Sequence, residues 1–364
     1  MKIREITAFF EKLAPLAYQE SYDNSGLQVG NYSMEVTGAI VTIDITEEVI
    51  EEAISKKINL VIGHHPVIFG GLKSITGKSM PERVVQKAIK NDIAIYAVHT
   101  NIDSIRQGVS GKICEKIGLR NTRILDPVQN RLKKLVVFVP LENAEKLRQA
   151  VFAAGAGVIG NYDSCSYNLE GQGTFRGGEE TNPYVGEKGK LHTEPEVRVE
   201  TIFPEHLKGK VITAMLQAHP YEEVAYDIYP LENKYPEIGM GMIGDLDEPV
   251  SERAFLEMLK GTFRTGVIRH SDLLGKEVRK VAVCGGAGSS LLRKAISEKA
   301  DFFVSGDFKY HQFFDAEGKI VIADIGHFES EQYTTEIFYD LLLKNFPKFA
   351  VQLSEINTNP IKYF

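Results

Sequence analysis

Short runs of apolar residues alternate with amphipathic segments over the first 125 residues of the chain. The helical spacing of apolar residues predicts α-helices at 3–13, 47–57 and 81–90. Continuous runs rich in β-branched residues predict buried strands at 38–44, 58–62 and 93–98. Buried strands that alternate with helices are typical of a mainly parallel sheet covered on both faces. We therefore expect an α/β fold for this part of the chain.

Between about residues 126 and 232 the pattern changes. Strands are predicted at 135–139, 197–202 and 224–229, and helices at 144–154 and 205–218. A long polar, glycine-rich stretch at 155–196 follows the first of these helices. The order β-α-β and then β-α-β is the split pattern of a ferredoxin-like sandwich. We predict that 126–232 is a separate α+β domain inserted into the first one.

An α/β pattern returns over residues 233–364. Strands are predicted at 280–284, 301–304 and 319–324, and helices at 289–299 and 328–343. Landmarks of the first part recur in the same order, since AISKK leads into INLVIGHH and, later, AISEK leads into ADFFVSGD. We therefore predict that 1–125 and 233–364 are two similar α/β halves of one core domain.

Composition narrows the classes of function. The 42 basic and 49 acidic residues give a net charge of −7, which disfavours broad electrostatic binding of nucleic acid. The three cysteines are far apart and form no Cys-x-x-Cys pair, so neither a disulfide framework nor a thiolate zinc site is expected. The amphipathic start does not resemble a signal peptide, and no stretch approaches the roughly 18 apolar residues of a membrane span. We expect a cytoplasmic protein without membrane association.

Candidate metal ligands stand where predicted strands end. His64 and His65 follow the strand at 58–62, and ligand sites of parallel sheets lie beyond the carboxyl ends of the strands. His327 and Glu331 are four residues apart at the start of a predicted helix and can therefore converge on one ion. Asp103 lies just beyond another buried strand, where it is either a further ligand or a helix cap.

The conjunction of these residues favours a metal site over isolated structural roles. Five of the six histidines in the predicted core lie at strand ends or just after them: 64, 65, 99, 311 and 327. Asp103, Asp307 and Glu331 lie beside them in the sequence. Imidazoles mixed with carboxylates suit zinc, iron, manganese, nickel or cobalt, and the residues alone do not choose among them. Six or more potential ligands indicate two ions about 3.5–4 Å apart.

Weaker signals leave two interpretations open. The loop at 284–290 joins a strand to a helix, so that its amides either bind an anion or form a tight, closely packed turn. Asp307 and His311 either move protons in the pocket or have structural roles. The segment at 23–30 is interpreted as a turn that enters a strand. In the predicted insert, three histidines share no spacing with the others and are interpreted as structural: 192, 206 and 219.

Five motifs resemble one known family in order and spacing. They are DNSGLQVG at 23–30, GHHP at 63–66, HTNID at 99–103, SGDFKYH at 305–311 and GHFESE at 326–331. The family is that of the GTP cyclohydrolase 1 type 2 homologs, also called the NGG-one-interacting factor three-like dinuclear metal proteins. The insert, with GNYDSCSYNLEGQGTF at 160–175, is similar to that of the longer bacterial members, whose extra domain resembles the PII and CutA proteins.

The resemblance implies a dinuclear centre between two similar α/β halves. The family's metal ligands fall on five residues of this sequence: His64, His65, Asp103, His327 and Glu331. Glu331 would bridge two divalent ions, with zinc expected first and iron, manganese, nickel or cobalt as alternatives. His99 would lie behind the ligands or act as an auxiliary one. Members of the family form ring-shaped homohexamers, so a homo-oligomer is expected here.

Two functions follow as hypotheses. The first is a metal-dependent hydrolase that opens the guanine ring of GTP, as the family name suggests, or cleaves a phosphoester. Asp307, His311 or His99 would then move protons. The second is a non-catalytic metal-binding protein in which the insert serves sensing, metal handling or regulation. Binding of nucleic acid is a weaker hypothesis, because no basic patch with interleaved aromatic residues occurs in the sequence.

Overall fold

The computed structural model describes residues 1–364. The chain divides into two compact units, one formed by Met1–Pro127 together with Pro236–Phe364, and the other by Val128–Tyr235. Both units combine helices with β-sheets, and the predicted mixture of α and β structure is confirmed. None of the helices has the length and apolar character needed to span a membrane.

Eleven α-helices and fifteen strands are numbered here in chain order. The strands are β1 (Gly26–Val29), β2 (Ala39–Thr42), β3 (Leu60–Gly63), β4 (Ala94–Ala97), β5 (Arg120–Val128), β6 (Leu132–Pro140), β7 (Tyr167–Arg176), β8 (Leu191–Pro204), β9 (Tyr226–Leu231), β10 (Tyr235–Ser251), β11 (Arg269–His270), β12 (Glu277–Ala287), β13 (Phe302–Gly306), β14 (Val321–Asp324) and β15 (Val351–Leu353). The helices are α1 (Ile3–Leu13), α2 (Glu47–Ser55), α3 (Met80–Lys90), α4 (Thr100–Asp103), α5 (Val109–Ile117), α6 (Ala144–Ala153), α7 (Lys208–Ala218), α8 (Glu252–Phe263), α9 (Leu292–Ser297), α10 (His327–Glu331) and α11 (Thr334–Asn345).

Two sheets form the frame of the first unit. The five-stranded sheet has the order β1-β4-β3-β2-β15, and the six-stranded sheet has the order β11-β14-β13-β12-β10-β5. Strands β2, β3 and β4 are parallel, as are β12, β13 and β14. A short antiparallel strand completes one edge of each set, β1 beside β4 and β11 beside β14. Each sheet therefore contains the same three-stranded parallel arrangement.

Both faces of these parallel strands are buried, which explains their continuous apolar sequences. In β2, Ala39 and Val41 pack into a central core that also contains residues of β12–β14 and of α1, α5, α8 and α11. Ile40 points the other way, into a second core with α2 and α3. On the six-stranded sheet, Phe303 and Ile322 likewise pack with α9 in a third core.

Local sequence fixes where the helices begin. Thr46 caps α2 by accepting a hydrogen bond from the backbone of Val49, and Ser79 caps α3 by accepting one from Glu82. Pro81 lies in the first turn of α3, where its missing N–H has no helical partner to lose. The helices predicted at 47–57 and 81–90 are thus confirmed to within two residues at each end.

The helix predicted at 328–343 is wrong in one respect. Two helices occur there, α10 and α11, because Gln332 and Tyr333 interrupt the regular ladder between them. The side-chain amide of Gln332 donates to the carbonyl of Phe263, and the Tyr333 hydroxyl donates to that of Thr262. These tertiary contacts with the end of α8 lie at the break between the two helices. The spacing of apolar residues does not predict them.

The second unit has the element order β6-α6-β7-β8-α7-β9. Its sheet has the strand order β7-β8-β6-β9, and every neighbouring pair is antiparallel. Helices α6 and α7 share a core with alternate residues of β6 and β8. Strand β7 lies inside the polar stretch at 155–196, for which no strand is predicted. Most of its side chains are exposed, so the sequence shows no alternation of apolar residues there.

Truncation of a central phenylalanine tests the core of the first unit. Phe302 is fully buried and packs edge-on against Phe255, with ring centroids 4.9 Å apart. We expect Phe302→Ala to lower the free energy of unfolding by about 3–5 kcal/mol, because it leaves a cavity at a closely packed position. Phe314→Ala, at a side chain that is 66% exposed, should change it by less than about 0.5 kcal/mol. Urea denaturation followed by circular dichroism measures both, and equal midpoints would contradict this account of the core.

Candidate metal centre

Four histidines from the two sheets meet at the carboxyl ends of the parallel strands. His64 and His65 follow β3, His99 follows β4, and His327 follows β14 at the start of α10. The ring centroids of His65 and His327 lie 5.3 Å apart, although 262 positions separate them in the sequence. The His99 ring lies 5.3 Å from that of His64 and 5.4 Å from that of His65. Residues of the GHHP and GHFESE motifs therefore meet at one place.

The carboxylate of Glu331 lies in the middle of this cluster. Its Oε1 lies 3.7 Å from His64 Nε2. Its Oε2 lies 3.0 Å from His65 Nε2 and 3.2 Å from His327 Nε2. On the Oε1 side, Asp103 adds a second carboxylate, with its Oδ1 3.7 Å from His64 Nε2. Each oxygen of Glu331 thus faces a different set of potential ligands.

Every histidine of the cluster is oriented by a hydrogen bond from Nδ1. His64 donates to the carbonyl of Val98 over 2.9 Å. The other three donate to carboxylates: His65 to Asp44 over 2.8 Å, His99 to Asp23 over 2.7 Å, and His327 to Asp307 over 2.7 Å. Because Nδ1 of each ring is engaged in this way, Nε2 is the nitrogen that would bind a metal ion, and a protonated ring would lose its Nε2 proton when the ion binds. Metal-binding histidines generally have such partners behind them.

Three buried polar atoms in the cluster lack a hydrogen bond of acceptable geometry: His64 Nε2, Asp103 Oδ1 and Glu331 Oε2. A buried polar atom without a partner is costly, so this concentration requires an explanation. Ligation of a cation satisfies such atoms together. Two overlapping groups can hold a metal ion, one formed by His64, His65 and His99 and the other by His65, His327 and Glu331.

The electrostatics of the cluster point the same way. Burial, together with the neighbouring Glu331 carboxylate, raises the pKa of Asp103 to about 7, although His64 opposes this shift. Although burial disfavours the charged form of His65, the Asp44 and Glu331 carboxylates raise its pKa to about 10. Burial also opposes the charge of His327, but Glu331 raises the pKa of that histidine to about 9. The carboxylates thus create a site that attracts positive charge.

The loop at 284–290 lies directly against Glu331. A Cβ atom at Gly286 would lie 2.3 Å from Glu331 Oε1, and the residue has a φ of +59°. The Gly286 amide donates to Ser330 Oγ over 2.9 Å, and the Gly288 amide donates to Ser305 Oγ over 3.0 Å. Because the serines engage these two amides, the geometry favours the closely packed turn over the anion site. Because Gly286 has no side chain, the Glu331 carboxylate has room to lie against the loop.

The residues predicted to move protons occupy different places. His99 lies within the cluster, and Asp307 contacts it through His327. His311 lies in the 3₁₀ helix Tyr310–Ala316, where its exposed ring packs against Tyr310 and Phe314. Neither of these two aromatic residues belongs to the cluster, so nothing in the contacts of His311 joins it to the other candidates.

Asp23 and Asp44 were missed among the candidate residues. Asp23 accepts hydrogen bonds from the amide and hydroxyl groups of Thr100 as well as from His99. Asp44 also accepts one from the hydroxyl of Thr358 over 2.7 Å. The position of Asp44 as the last residue of a predicted buried strand was a usable signal. The role of Asp23 depends on a contact across 76 positions, which the local pattern of a turn does not reveal.

Two exposed aromatic rings extend from the cluster toward solvent. The Phe69 ring centroid lies 6.1 Å from that of His99 and 6.2 Å from that of Tyr22. Phe69 is 50% exposed and Tyr22 is 61% exposed. Asn24 and Gln28 hold the preceding residue, Ile68, because the side-chain amides of both donate to its carbonyl and Gln28 Oε1 accepts from its amide. We call Tyr22 and Phe69 the aromatic shelf.

Known proteins are similar in sequence to this chain over most or all of its length. A protein of Bacillus subtilis named GTP cyclohydrolase 1 type 2 homolog is 38% identical over 365 residues, covering 99% of this chain and 98% of that one. A protein of the same name from Halalkalibacterium halodurans is 40% identical over 325 residues, with 88% and 87% covered. These shares leave little of either chain unmatched.

The fold agrees with solved structures of similar proteins. The crystal structure of a Bacillus cereus protein related to NIF3 has a TM-score of 0.86 at 39% identity, covering 100% of this chain and 99% of that one. A Staphylococcus aureus protein has a TM-score of 0.80 at 27% identity, with the same coverage. The sequence profile of the family Duf34/NIF3 (NGG1p interacting factor 3) matches residues 1–360. The chain therefore belongs to the Duf34/NIF3 family.

Proposed function

We propose that the protein is a hydrolase that depends on two divalent metal ions and acts on a nucleotide. The observation that carries the proposal is the position of the Glu331 carboxylate, whose two oxygens face separate sets of ligands. His64 and Asp103 would bind one ion together with Oε1. His65 and His327 would bind the other together with Oε2. A bridging carboxylate suits such a pair of ions.

When bound, such a metal pair lowers the pKa of a water molecule and polarises an electrophilic oxygen of the substrate. The mixture of imidazoles and carboxylates suits zinc first, with iron, manganese, nickel or cobalt as alternatives. Asp44 and Asp307 would orient His65 and His327 through their Nδ1 atoms. Both ligands therefore enter the site in a fixed tautomer.

We assign proton transfer to His99 among the three residues predicted for it. The His99 ring borders both His64 and His65, and Asp23 fixes its orientation. Asp307 holds His327 and is better suited to position that ligand. His311 would act only if its exposed segment came closer to the cluster. A histidine beside the reacting atoms is the commonest group for such transfer.

The aromatic shelf favours a nucleotide over a phosphoester that lacks a ring. Phe69 lies next to His99 and Tyr22 lies next to Phe69, and both present exposed rings on which a nucleobase can stack. The name of the curated relatives, GTP cyclohydrolase 1 type 2 homolog, suggests GTP as the first substrate to test. Opening of its guanine ring would require the base, rather than the triphosphate, to lie over the metal pair.

Other features are proposed on the resemblance to the family. We propose a homohexamer in the cytoplasm, in which residues 126–232 form a ferredoxin-like domain of the PII/CutA type between core halves 1–125 and 233–364. The element order and antiparallel sheet of the second unit support the ferredoxin-like type. Acidic net charge and the absence of a basic aromatic patch in the sequence argue against nucleic acid as a partner.

Replacement of the central carboxylate tests the proposal directly. We expect Glu331→Gln to reduce bound metal from two ions per subunit to less than one, because the uncharged amide does not bridge two cations well. Hydrolysis of GTP should fall to background in parallel. Elemental analysis and a turnover assay with GTP and a set of phosphoesters, supplemented with zinc or manganese, measure both quantities.

Glu336→Gln is the matched control, since Glu336 contacts Lys112 and Lys116 away from the cluster. It should keep both metal and turnover. Turnover that persists in the metal-free Glu331 variant would contradict the hydrolase mechanism. Full metal occupancy in the wild-type protein without turnover of any nucleotide or phosphoester would instead support the non-catalytic, metal-binding alternative.

A glycine substitution tests whether the loop at 284–290 shapes the site. We expect Gly286→Ala to weaken metal binding by about 10–100-fold, the range for disturbing a group that orients a ligand. The added Cβ would overlap Glu331 Oε1. Gly318→Ala is the control, because Gly318 has a similar φ of +64° but open space around it. Competition with a metal-binding dye measures both affinities, and equal losses in the two variants would show that backbone strain alone is responsible.

Removal of the shelf separates the two substrate classes. We expect Phe69→Ala to raise KM for GTP about tenfold, which lies within the range for loss of one base-stacking contact. Metal content should stay at the wild-type level, and turnover of a phosphoester without a ring should be unaffected. Steady-state kinetics with the two substrates provide the measurement. An unchanged KM for GTP would argue against base stacking at this place.

A further inference from the structure

A cavity of about 560 Å³ is lined only by residues of the second unit. This volume is within the range of sites for small molecules. The cavity lies on the sheet face that the helices leave open. Residues Val137 and Val199 face α6 and α7, whereas their strand neighbours Phe138 and Arg198 line the cavity. The alternation of strand side chains thus creates an apolar core on one face and a lined hollow on the other.

Two loops complete the wall of this cavity. One contributes Thr181, Pro183 and Tyr184, and the other contributes Tyr221. The loops are joined by a hydrogen bond from the amide of Asn182 to Glu222 Oε1 over 2.7 Å. The Tyr184 and Tyr221 rings, with centroids 6.2 Å apart, also pair across them. The two loops are therefore held together by contacts within the unit.

Four aromatic rings contribute to the wall. Phe175 lies 5.9 Å from Tyr221, measured between ring centroids, and Phe138 and Tyr184 complete the set of four. The guanidinium carbon of Arg198 lies 6.0 Å from the centre of the Phe138 ring. One cation thus already lies at the limit of a cation–π contact in this wall.

A buried carboxylate, that of Glu196, faces the same space. The Tyr221 hydroxyl donates to Glu196 Oε1 over 3.0 Å, which leaves Oε2 available to a ligand. A Cβ at Gly173 would lie 2.2 Å from Oε2, so glycine at this position leaves room for the carboxylate where it lies. A carboxylate inside an aromatic wall is costly without a charged partner.

The charges of the wall are unbalanced. Four glutamates line the cavity (170, 196, 222 and 223) against two arginines (176 and 198). Arg198 is already paired with Glu200 over 2.9 Å, outside the cavity. The available charge of the wall is therefore negative, which disfavours an anionic ligand and favours a cationic one.

We propose that this cavity binds a small organic cation with a planar guanidinium or amidinium group. The flat cation would stack on the rings around Tyr221 and donate hydrogen bonds to Glu196 Oε2. Planar, delocalised cations combine these two contacts, whereas a compact ammonium ion cannot stack in the same way. The site belongs to the second unit alone and does not depend on the activity proposed for the metal centre.

Binding of benzamidine to the full-length, metal-loaded protein tests this site. We expect saturable binding of benzamidine by isothermal titration calorimetry, and none of benzamide, its neutral analogue of nearly the same shape. Glu196→Gln should weaken binding at least tenfold, because the amide keeps the shape but removes the charge. Glu145→Gln, on helix α6 at the other face of the sheet, should bind within twofold of the wild-type protein.

A second variant fills the space without touching the carboxylate. Gly171 lies on strand β7 in the cavity wall, and a Cβ there would meet nothing within 4 Å. Gly171→Leu should therefore fold normally, keep its metal and lose benzamidine binding. Absence of binding to the wild-type protein, equal affinity for benzamide, or unchanged affinity in both Glu196→Gln and Gly171→Leu would overturn the proposal. A change of oligomeric state in Gly171→Leu, seen by sedimentation, with no benzamidine binding in the wild-type protein, would assign the face to a second copy of the chain instead.

Discussion

The burial of carboxylates beside several imidazoles is the constraint on which the first unit depends. Glu331 is 4% exposed, and Asp103 Oδ1 is buried beside it without a hydrogen bond. Two neighbouring acids in a medium of low polarity are tolerable only when positive charge lies among them. Protonated His65 and His327 supply that charge in the protein without metal, and cations would supply it more completely. Positive charge at this one place in the fold therefore stabilises the buried carboxylates.

The rest of this unit holds the charged groups in place from several directions. Parallel strands deliver the histidines to one end of each sheet, and the carbonyl and carboxylates behind their Nδ1 atoms fix each ring. Gly286 removes a side chain that would strike Glu331. Ser330 holds the Gly286 amide from the same helix that carries Glu331. Each of the four histidines is therefore held by a hydrogen bond through Nδ1.

In the second unit, the alternation of strand residues gives the two faces of the sheet different environments. Its helices bury one face of the sheet, and the other face remains available for rings and charged groups. Strand β7 is largely exposed and owes its existence to ten backbone pairs with β8 rather than to an apolar face. Such a strand has no alternation of apolar and polar residues, so it cannot be predicted from its polar, glycine-rich sequence.

The sequence by itself determined the parallel strands of the first unit and the candidate ligands at their ends. Continuous β-branched runs are buried on both faces, and His64, His65 and His327 directly follow such runs or the turns after them. Local spacing also places His327 and Glu331 on one helical face. These features can be predicted from the sequence because each depends on residues fewer than five positions apart.

Tertiary structure alone decided which groups meet and what orients them. The contacts of Asp23 with His99, of Asp44 with Thr358 and of Gly286 with Glu331 join distant segments, and no local pattern encodes them. The break between α10 and α11 arises in the same way, from contacts with the end of α8. Periodicity reports whether a residue is buried, but the identity of its neighbour is fixed only when the sheets and helices have packed.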